Sequence, residues 1–84
     1  MIRRNWRVQY DRQTVGLFRS YEQARKLWEE GYERGATTYQ LHLRRNGRWV
    51  EYGTGWAAGK IDAQQLAGLG IPLNEKILIE NPTL

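Results

Sequence analysis

The residues best suited to chemistry flank the dipeptide Asn46-Gly47. Asn-Gly is the preferred pair for a two-residue type I′ hairpin turn, which sets Arg44 opposite Trp49 and Arg45 opposite Arg48. A guanidinium can lie on an indole, and an exposed indole can stack on a single-stranded base. The two opposed arginines repel each other, and either a bound anion or the water and salt around a hairpin tip would relieve that repulsion. The hairpin therefore predicts a contact surface for an anionic partner.

The same register assigns side chains to two faces of the hairpin over residues 37–52. It pairs Leu43 with Val50, His42 with Glu51 and Leu41 with Tyr52. We expect the inner face to carry Tyr39, Leu41, Leu43, Val50 and Tyr52, and the outer face Gln40, His42, Arg44, Trp49 and Glu51. A large apolar plate such as Trp49 is unusual on a solvated face, so the alternative is that a second helix or a partner subunit covers it.

His42 and Glu51, opposite each other in this register, could act as a general base and the carboxylate that orients it. No serine or cysteine nucleophile is evident near them, and they lie on an open strand face. We therefore interpret the pair as a structural cross-strand contact. The sequence predicts a protein that is not an enzyme.

A second group of basic residues lies near the N-terminus, at Arg3, Arg4, Arg7 and Arg12. Arg3 and Arg7 share the polar face of the first predicted strand, where they could straddle phosphates. An N-terminal arginine arm can also enter a DNA minor groove. We include Arg3, Arg7 and Arg12 among the candidate contacts, with Arg44, Arg45, Arg48, Trp49 and Trp56.

The segment 53–60 is rich in glycine but satisfies no phosphate-binding motif. A Walker A loop would need glycine at Thr54 and a hydroxyl residue at Ile61. We predict a connecting loop in which Trp56, flanked by small residues, anchors the segment to the core or to a partner.

Composition limits the class of protein. The chain has 84 residues, a net charge of +4, four tryptophans, one histidine and no cysteine. Disulfides and a structural zinc site are excluded by this inventory, and we expect no cofactor. No apolar run approaches the length of about 18 residues that spans a membrane, and no signal pattern is present, which predicts a single cytoplasmic domain, 1–84, without membrane association. Residues 1–48 hold eleven basic and five acidic side chains, a balance that favours nucleic acid or an acidic protein surface.

The elements that position these residues are readable from periodicity. Residues 6–19 predict a first hairpin with a loop at Arg12-Gln13, which places Trp6, Val8, Tyr10, Val15 and Leu17 on one face. Residues 20–34 predict a helix capped by Ser20, with a buried stripe of Ala24, Leu27, Trp28, Gly31 and Tyr32. A short second helix at 63–69 and a last strand at 76–80 follow the second hairpin. The predicted fold is α+β: an antiparallel sheet in the order β-β-α-β-β-α-β, with the main helix on one face.

Residues 6–34 carry Trp6-x-Val8-x-Tyr10, then Gly16-x-Phe18-x-Ser20-x-Glu22-x-Ala24, then Trp28. This run resembles the sheet-plus-helix DNA-binding domains of phage integrase arm-binding regions. The resemblance implies a three-stranded sheet in the major groove, with Arg7, Arg12 and Arg19 as DNA contacts. In size and basic charge the chain is also similar to phage-encoded inhibitors of host defence, including anti-CRISPR proteins.

From the residues we favour a non-enzymatic binding module that contacts nucleic acid through an arginine and tryptophan face. The alternative is a small inhibitor or adaptor of the phage type that binds a host protein complex through the same arginine clusters and a tryptophan anchor. A free sheet edge could also pair with that of a second copy, so a homodimer is a further possibility.

Overall fold

Five antiparallel strands and one helix make up the part of the chain that the computed structural model describes, residues 4–57 and 76–82. The elements are β1 (Trp6–Tyr10), β2 (Gln13–Phe18), α1 (Tyr21–Glu29), β3 (Thr38–Arg45), β4 (Arg48–Ala57) and β5 (Lys76–Glu80). They form one sheet in the spatial order β2-β1-β3-β4-β5. The α+β class and the antiparallel sheet are confirmed, whereas the second helix predicted at 63–69 lies outside the described residues.

The core lies between α1 and one face of the sheet, which we call the proximal face. Its fully buried side chains are Val8, Ala24, Trp28, Tyr39 and Leu41. The Trp28 indole N–H donates to the Tyr39 carbonyl at 3.0 Å, so the largest core side chain buries no unpaired donor. We call the face opposite α1 the distal face.

The helix begins where the sequence predicts and ends at Glu29, five residues earlier than predicted. The Ser20 hydroxyl accepts a hydrogen bond from the Gln23 backbone N–H at 3.1 Å, and Glu30 is the C-cap. Residues 30–35 form turns rather than helix. Gly31 lies against the Tyr39 ring, where an added Cβ would be 2.5 Å from Tyr39 Cγ. The contact with Tyr39 requires a glycine at position 31. Because glycine weakens a helix interior, the helix ends just before this residue.

The register predicted for the first hairpin is wrong. The turn is Asp11-Arg12, with φ of 50° and 69°, rather than Arg12-Gln13. Trp6 pairs with Phe18 and Arg7 with Leu17, and a bulge interrupts the pairing between Val8 and Gln9.

This register moves two apolar side chains off the predicted face. Phe18 packs on the core instead of Leu17, whereas Val15 and Leu17 are 44% and 43% exposed. The turn is held at Asp11 because its carboxylate accepts hydrogen bonds from the backbone N–H groups of Thr37 and Thr38, both at 3.0 Å.

The second hairpin follows its predicted register for four pairs, from Arg45–Arg48 to His42–Glu51. Asn46 and Gly47 both have positive φ, as a type I′ turn requires. The fifth predicted pair, Leu41–Tyr52, is wrong: a bulge brings Gly53 opposite Leu41. Tyr52 remains on the proximal face, where its ring lies 5.2 Å from that of Trp6.

The predicted loop at 53–60 is wrong for its first five residues, because β4 continues to Ala57. Gly53 and Gly55 face the core, where an added Cβ would lie 2.9 Å from the Trp28 ring and 2.2 Å from the Tyr39 ring, respectively. These glycines therefore admit two core rings to the strand backbone rather than mark a loop. Residues 58–60 lie outside the described part of the chain.

The last predicted strand is confirmed as β5, which pairs with β4. Leu78 packs on the core, while Ile79 on the distal face is 56% exposed. Glu80 ties the strand to α1, because its carboxylate accepts from Tyr21 Oη at 2.6 Å and Arg25 Nε at 2.9 Å. Among the described residues, no helix is long and apolar enough to span a membrane.

Candidate functional site

The distal face collects the polar side chains of the three central strands. Residues directly opposite in the ladder share a face, so two rows cross the sheet there: Arg7, His42 and Glu51, and then Gln9, Gln40 and Thr54. Arg44 and Trp49 form a third pair, toward the Asn46-Gly47 turn. The face therefore presents guanidinium, amide, imidazole, carboxylate and hydroxyl groups near Trp49.

Trp49 is contacted by two arginines from different strands. The guanidinium carbon of Arg7 lies 4.5 Å from the Trp49 ring centroid, and that of Arg44 lies 5.7 Å away. Both distances are within the range of a cation–π contact. The sequence predicted the Arg44 contact from the hairpin register. It placed Arg7 only on a polar strand face, and the pairing of β1 with β3 brings Arg7 to Trp49.

Arg7 is also held by a second contact. Its Nε donates a hydrogen bond to Nδ1 of His42 at 3.3 Å. Because this bond uses Nε, it leaves the two terminal Nη groups of Arg7 for other acceptors. Desolvation by burial lowers the pKa of Arg7 from its ordinary value.

His42 is the buried polar residue at the centre of this face, with 8% of its surface exposed. Desolvation lowers its pKa, the Arg7 charge lowers it further, and Glu51 partly opposes both. The Glu51 carboxylate itself accepts a hydrogen bond from the Thr54 hydroxyl. The predicted His42–Glu51 pairing is confirmed as cross-strand register, and the imidazole serves as acceptor for Arg7.

The Arg45/Arg48 pair lies at the hairpin tip, directly opposed as the turn requires. Both side chains are exposed. Strand alternation puts them on the proximal side of the sheet, whereas Arg44 and Trp49 face the distal side. The tip pair is therefore a second basic patch on another surface.

The remaining predicted residues are distributed as follows. Arg12 occupies the β1–β2 turn, at the end of the sheet opposite the Asn46-Gly47 turn. Trp56 lies on the distal face of β4, opposite Thr38 and Ile77. Arg3 lies outside the described residues. The structure thus brings together Arg7, Arg44 and Trp49, with Trp56 farther along the same face and Arg12 apart.

The sequence prediction missed two kinds of residue on this face. One is the pair Gln9 and Thr54, which flank Gln40, a residue that was placed on this face; strand alternation could have identified both once the strand order was known. The other is the apolar rim, formed by Leu17 on β2 and Ile79 on β5, both well exposed. The signal for Ile79 was the run Ile77-Leu78-Ile79, which makes β5 apolar on both of its faces.

Within residues 4–57 and 76–82, no cluster of three or more histidine or acidic side chains has the arrangement of a metal site. Comparison of the whole chain with protein-family models, with curated proteins and with solved structures found no match in any of the three.

Proposed function

We propose that the chain is a nucleic-acid-binding module whose distal face holds a single strand. The observation that carries the proposal is the convergence of Arg7 and Arg44 on Trp49. Guanidinium groups bind phosphate oxygens in a forked geometry, and an indole offers a stacking surface to any base. The three side chains together offer cationic groups for phosphates beside an aromatic side chain for a base.

The neighbouring groups on the face support this assignment. Gln9 and Gln40 are opposite each other in the adjacent row, and amide side chains can bond the edges of unpaired bases. The chain as a whole has a pI of about 9.8, and ten of its thirteen basic residues are arginine. Base stacking on an aromatic side chain contributes about 1–3 kcal/mol per base, so we expect Trp49 to be the largest single contributor.

The test is a fluorescence anisotropy titration of labelled single-stranded and double-stranded oligonucleotides at two salt concentrations. We expect Trp49→Ala to weaken single-strand binding about tenfold or more. Arg44→Ala and Arg45→Ala form a matched pair, because they remove the same charge from adjacent residues on opposite faces. Arg44→Ala should weaken binding and lower its salt dependence more than Arg45→Ala does.

Three outcomes contradict the proposal. The first is the absence of binding to either oligonucleotide at low salt. The second is equal loss in Arg44→Ala and Arg45→Ala, which would indicate attraction by net charge alone. The third is binding to the duplex with an affinity that Trp49→Ala leaves unchanged. That result would indicate that the protein contacts the DNA backbone and stacks on no base.

A second candidate function is supported by the apolar rim. Leu17 and Ile79 are exposed on opposite edge strands of the same face, and large apolar side chains beside arginines are common at protein interfaces. The candidate partner is an acidic protein surface, as for a small inhibitor or adaptor. In that case Leu17→Lys would abolish complex formation with the protein partner, whereas oligonucleotide affinity would be low in every variant.

A further inference from the structure

We propose that His42 is the positioning residue for Arg7, and that its neutral imidazole holds the Arg7 guanidinium on Trp49 in the orientation that an anionic ligand needs. The part of this inference that is tested by ligand binding rests on the proposed function. The positioning itself is a property of the free protein and is measured separately.

The geometry fixes the guanidinium at two points. Arg7 and His42 are directly opposite on β1 and β3, and Nε of Arg7 lies 3.3 Å from Nδ1 of His42. The same guanidinium lies over Trp49 on β4. An arginine side chain otherwise has large rotamer freedom, which a ligand would have to restrict on binding. The two contacts remove that freedom in advance.

The imidazole is suited to this role because its motion is restricted. His42 is almost wholly buried, so close-packed neighbours leave its ring little room to move. For Nδ1 to accept from Arg7, the ring must be neutral with its proton on Nε2. The charged groups that face it are Arg7 from β1 and Glu51 from β4.

Protonation of His42 would break its contact with Arg7. A proton on Nδ1 would face the Nε–H of Arg7, so the hydrogen bond would be lost and two like charges would be adjacent. Arg7 would then be held by Trp49 alone. The depressed pKa of His42 keeps the ring neutral at physiological pH, so the arrangement is lost under acidic conditions only.

The binding test compares His42→Leu, which removes the acceptor, with His42→Asn, whose Oδ1 stands as many bonds from Cβ as Nδ1 does. We expect His42→Leu to weaken oligonucleotide binding about fivefold, the effect of one hydrogen bond, and His42→Asn to restore most of it. In an Arg7→Ala background, His42→Leu should have no further effect. An equal loss in both backgrounds, or full affinity in folded His42→Leu, would overturn the inference.

A second measurement does not depend on folding of the leucine variant. The ratio of the dissociation constants of Arg7→Ala and wild type is compared at about pH 7.5 and at a lower pH at which NMR shows the His42 ring to be protonated. We expect this ratio to fall at the lower pH in wild-type His42 and to stay constant with His42→Asn. The same pH dependence in both proteins would refute the inference.

A third measurement needs no ligand, and it separates failure of this inference from failure of the proposed function. The Arg7 Nε–H of the uniformly ¹⁵N-labelled protein should exchange more slowly at neutral pH than the Nε–H groups of the exposed Arg45 and Arg48, and its chemical shift should move toward theirs as His42 protonates. If this is observed but no oligonucleotide binds, the positioning stands and the proposed function fails. If the Arg7 Nε–H exchanges at neutral pH as fast as those of Arg45 and Arg48, the positioning fails whatever the binding result.

Discussion

The guanidinium of Arg7 lies over the indole of Trp49 although the two residues belong to strands that are not adjacent. β3 separates them, and the Arg7 side chain spans it to reach 4.5 Å from the ring centroid. Neighbouring strands are about 4.8 Å apart, so the reach covers about twice that spacing. The contact therefore links the first hairpin to the second across the distal face. It places the positive charge of Arg7 beside Trp49, a position that the sequence of neither hairpin alone would predict.

We expect the two arginine contacts of Trp49 to differ in strength. Double-mutant cycles with Trp49→Ala should give a coupling of about 0.5–1 kcal/mol for Arg7, the value of an exposed cation–π contact, and less for the more distant Arg44. The measurement is the free energy of unfolding in urea for each single and double variant. Arg45→Ala is the control, because it faces the other side. Equal coupling for Arg44 and Arg45 would show that only net charge is felt.

The turn between β1 and β2 should depend on the Asp11 carboxylate. Asp11→Ala removes the acceptor for two backbone N–H groups and puts alanine at a φ of 50°, so we expect a loss of about 2 kcal/mol in unfolding free energy. Asp11→Asn keeps an acceptor oxygen and tolerates the left-handed backbone, so it should lose clearly less. Chemical denaturation measures both. Identical losses would mean that the hydrogen bonds to Thr37 and Thr38 contribute little.

How far the sequence predicts this fold is clearest from its two hairpins. The second hairpin was predicted almost completely, because Asn46-Gly47 is a local signal that fixes turn and register together. The first was misread, because its turn is set by Asp11 bonding to Thr37 and Thr38, which are distant in sequence. The glycines of β4 were misread for the same reason, since the rings they accommodate belong to other elements.

The candidate site divides in the same way. The Arg44–Trp49 pair follows from hairpin register and was predicted. The position of Arg7 over Trp49 and the burial of His42 follow from the pairing of β1 with β3, which leaves no pattern in the local sequence. Arg45 and Arg48 were predicted as a cluster correctly, but alternation places that cluster on the other side of the sheet.

Core packing around the β4 glycines should tolerate no added methyl group at Gly55. The added Cβ would lie 2.2 Å from Cε2 of the fully buried Tyr39 and 2.7 Å from Cδ2 of Leu78, which packs against the core. We expect Gly55→Ala to lower the unfolding free energy by about 1–3 kcal/mol, the usual cost of overpacking. Thr54→Ala, one residue away on the distal face, should change it by no more than about 0.5 kcal/mol. Thermal melts followed by circular dichroism compare the two.

Equal melting temperatures for Gly55→Ala and wild type would show that Tyr39 moves aside at no cost. In that case close packing of the Tyr39 ring would not be what requires glycine in this part of β4. A large loss in Thr54→Ala instead would assign the stability to the hydrogen bond between Thr54 and Glu51.

Alkaline pH should destabilise the fold through two tyrosines. Burial raises the pKa of Tyr39 to about 12, and burial together with the hydrogen bond to Glu80 raises the pKa of Tyr21 to about 12. The unfolded-state pKa is about 10, so the folded state favours the neutral phenols. Their contribution is therefore complete below about pH 10 and is lost as pH rises from about 10 toward 12.

Urea unfolding at about pH 9 and about pH 11.5 measures this loss. We expect the unfolding free energy to be lower at the higher pH, and the difference to shrink when Tyr21 and Tyr39 are both replaced by phenylalanine. Ultraviolet absorbance of the folded protein should show at least two of the five tyrosines ionising well after the ordinary range. A single ionisation step near pH 10 in the folded protein, with unchanged stability, would show that neither phenol is held in its neutral form by the fold.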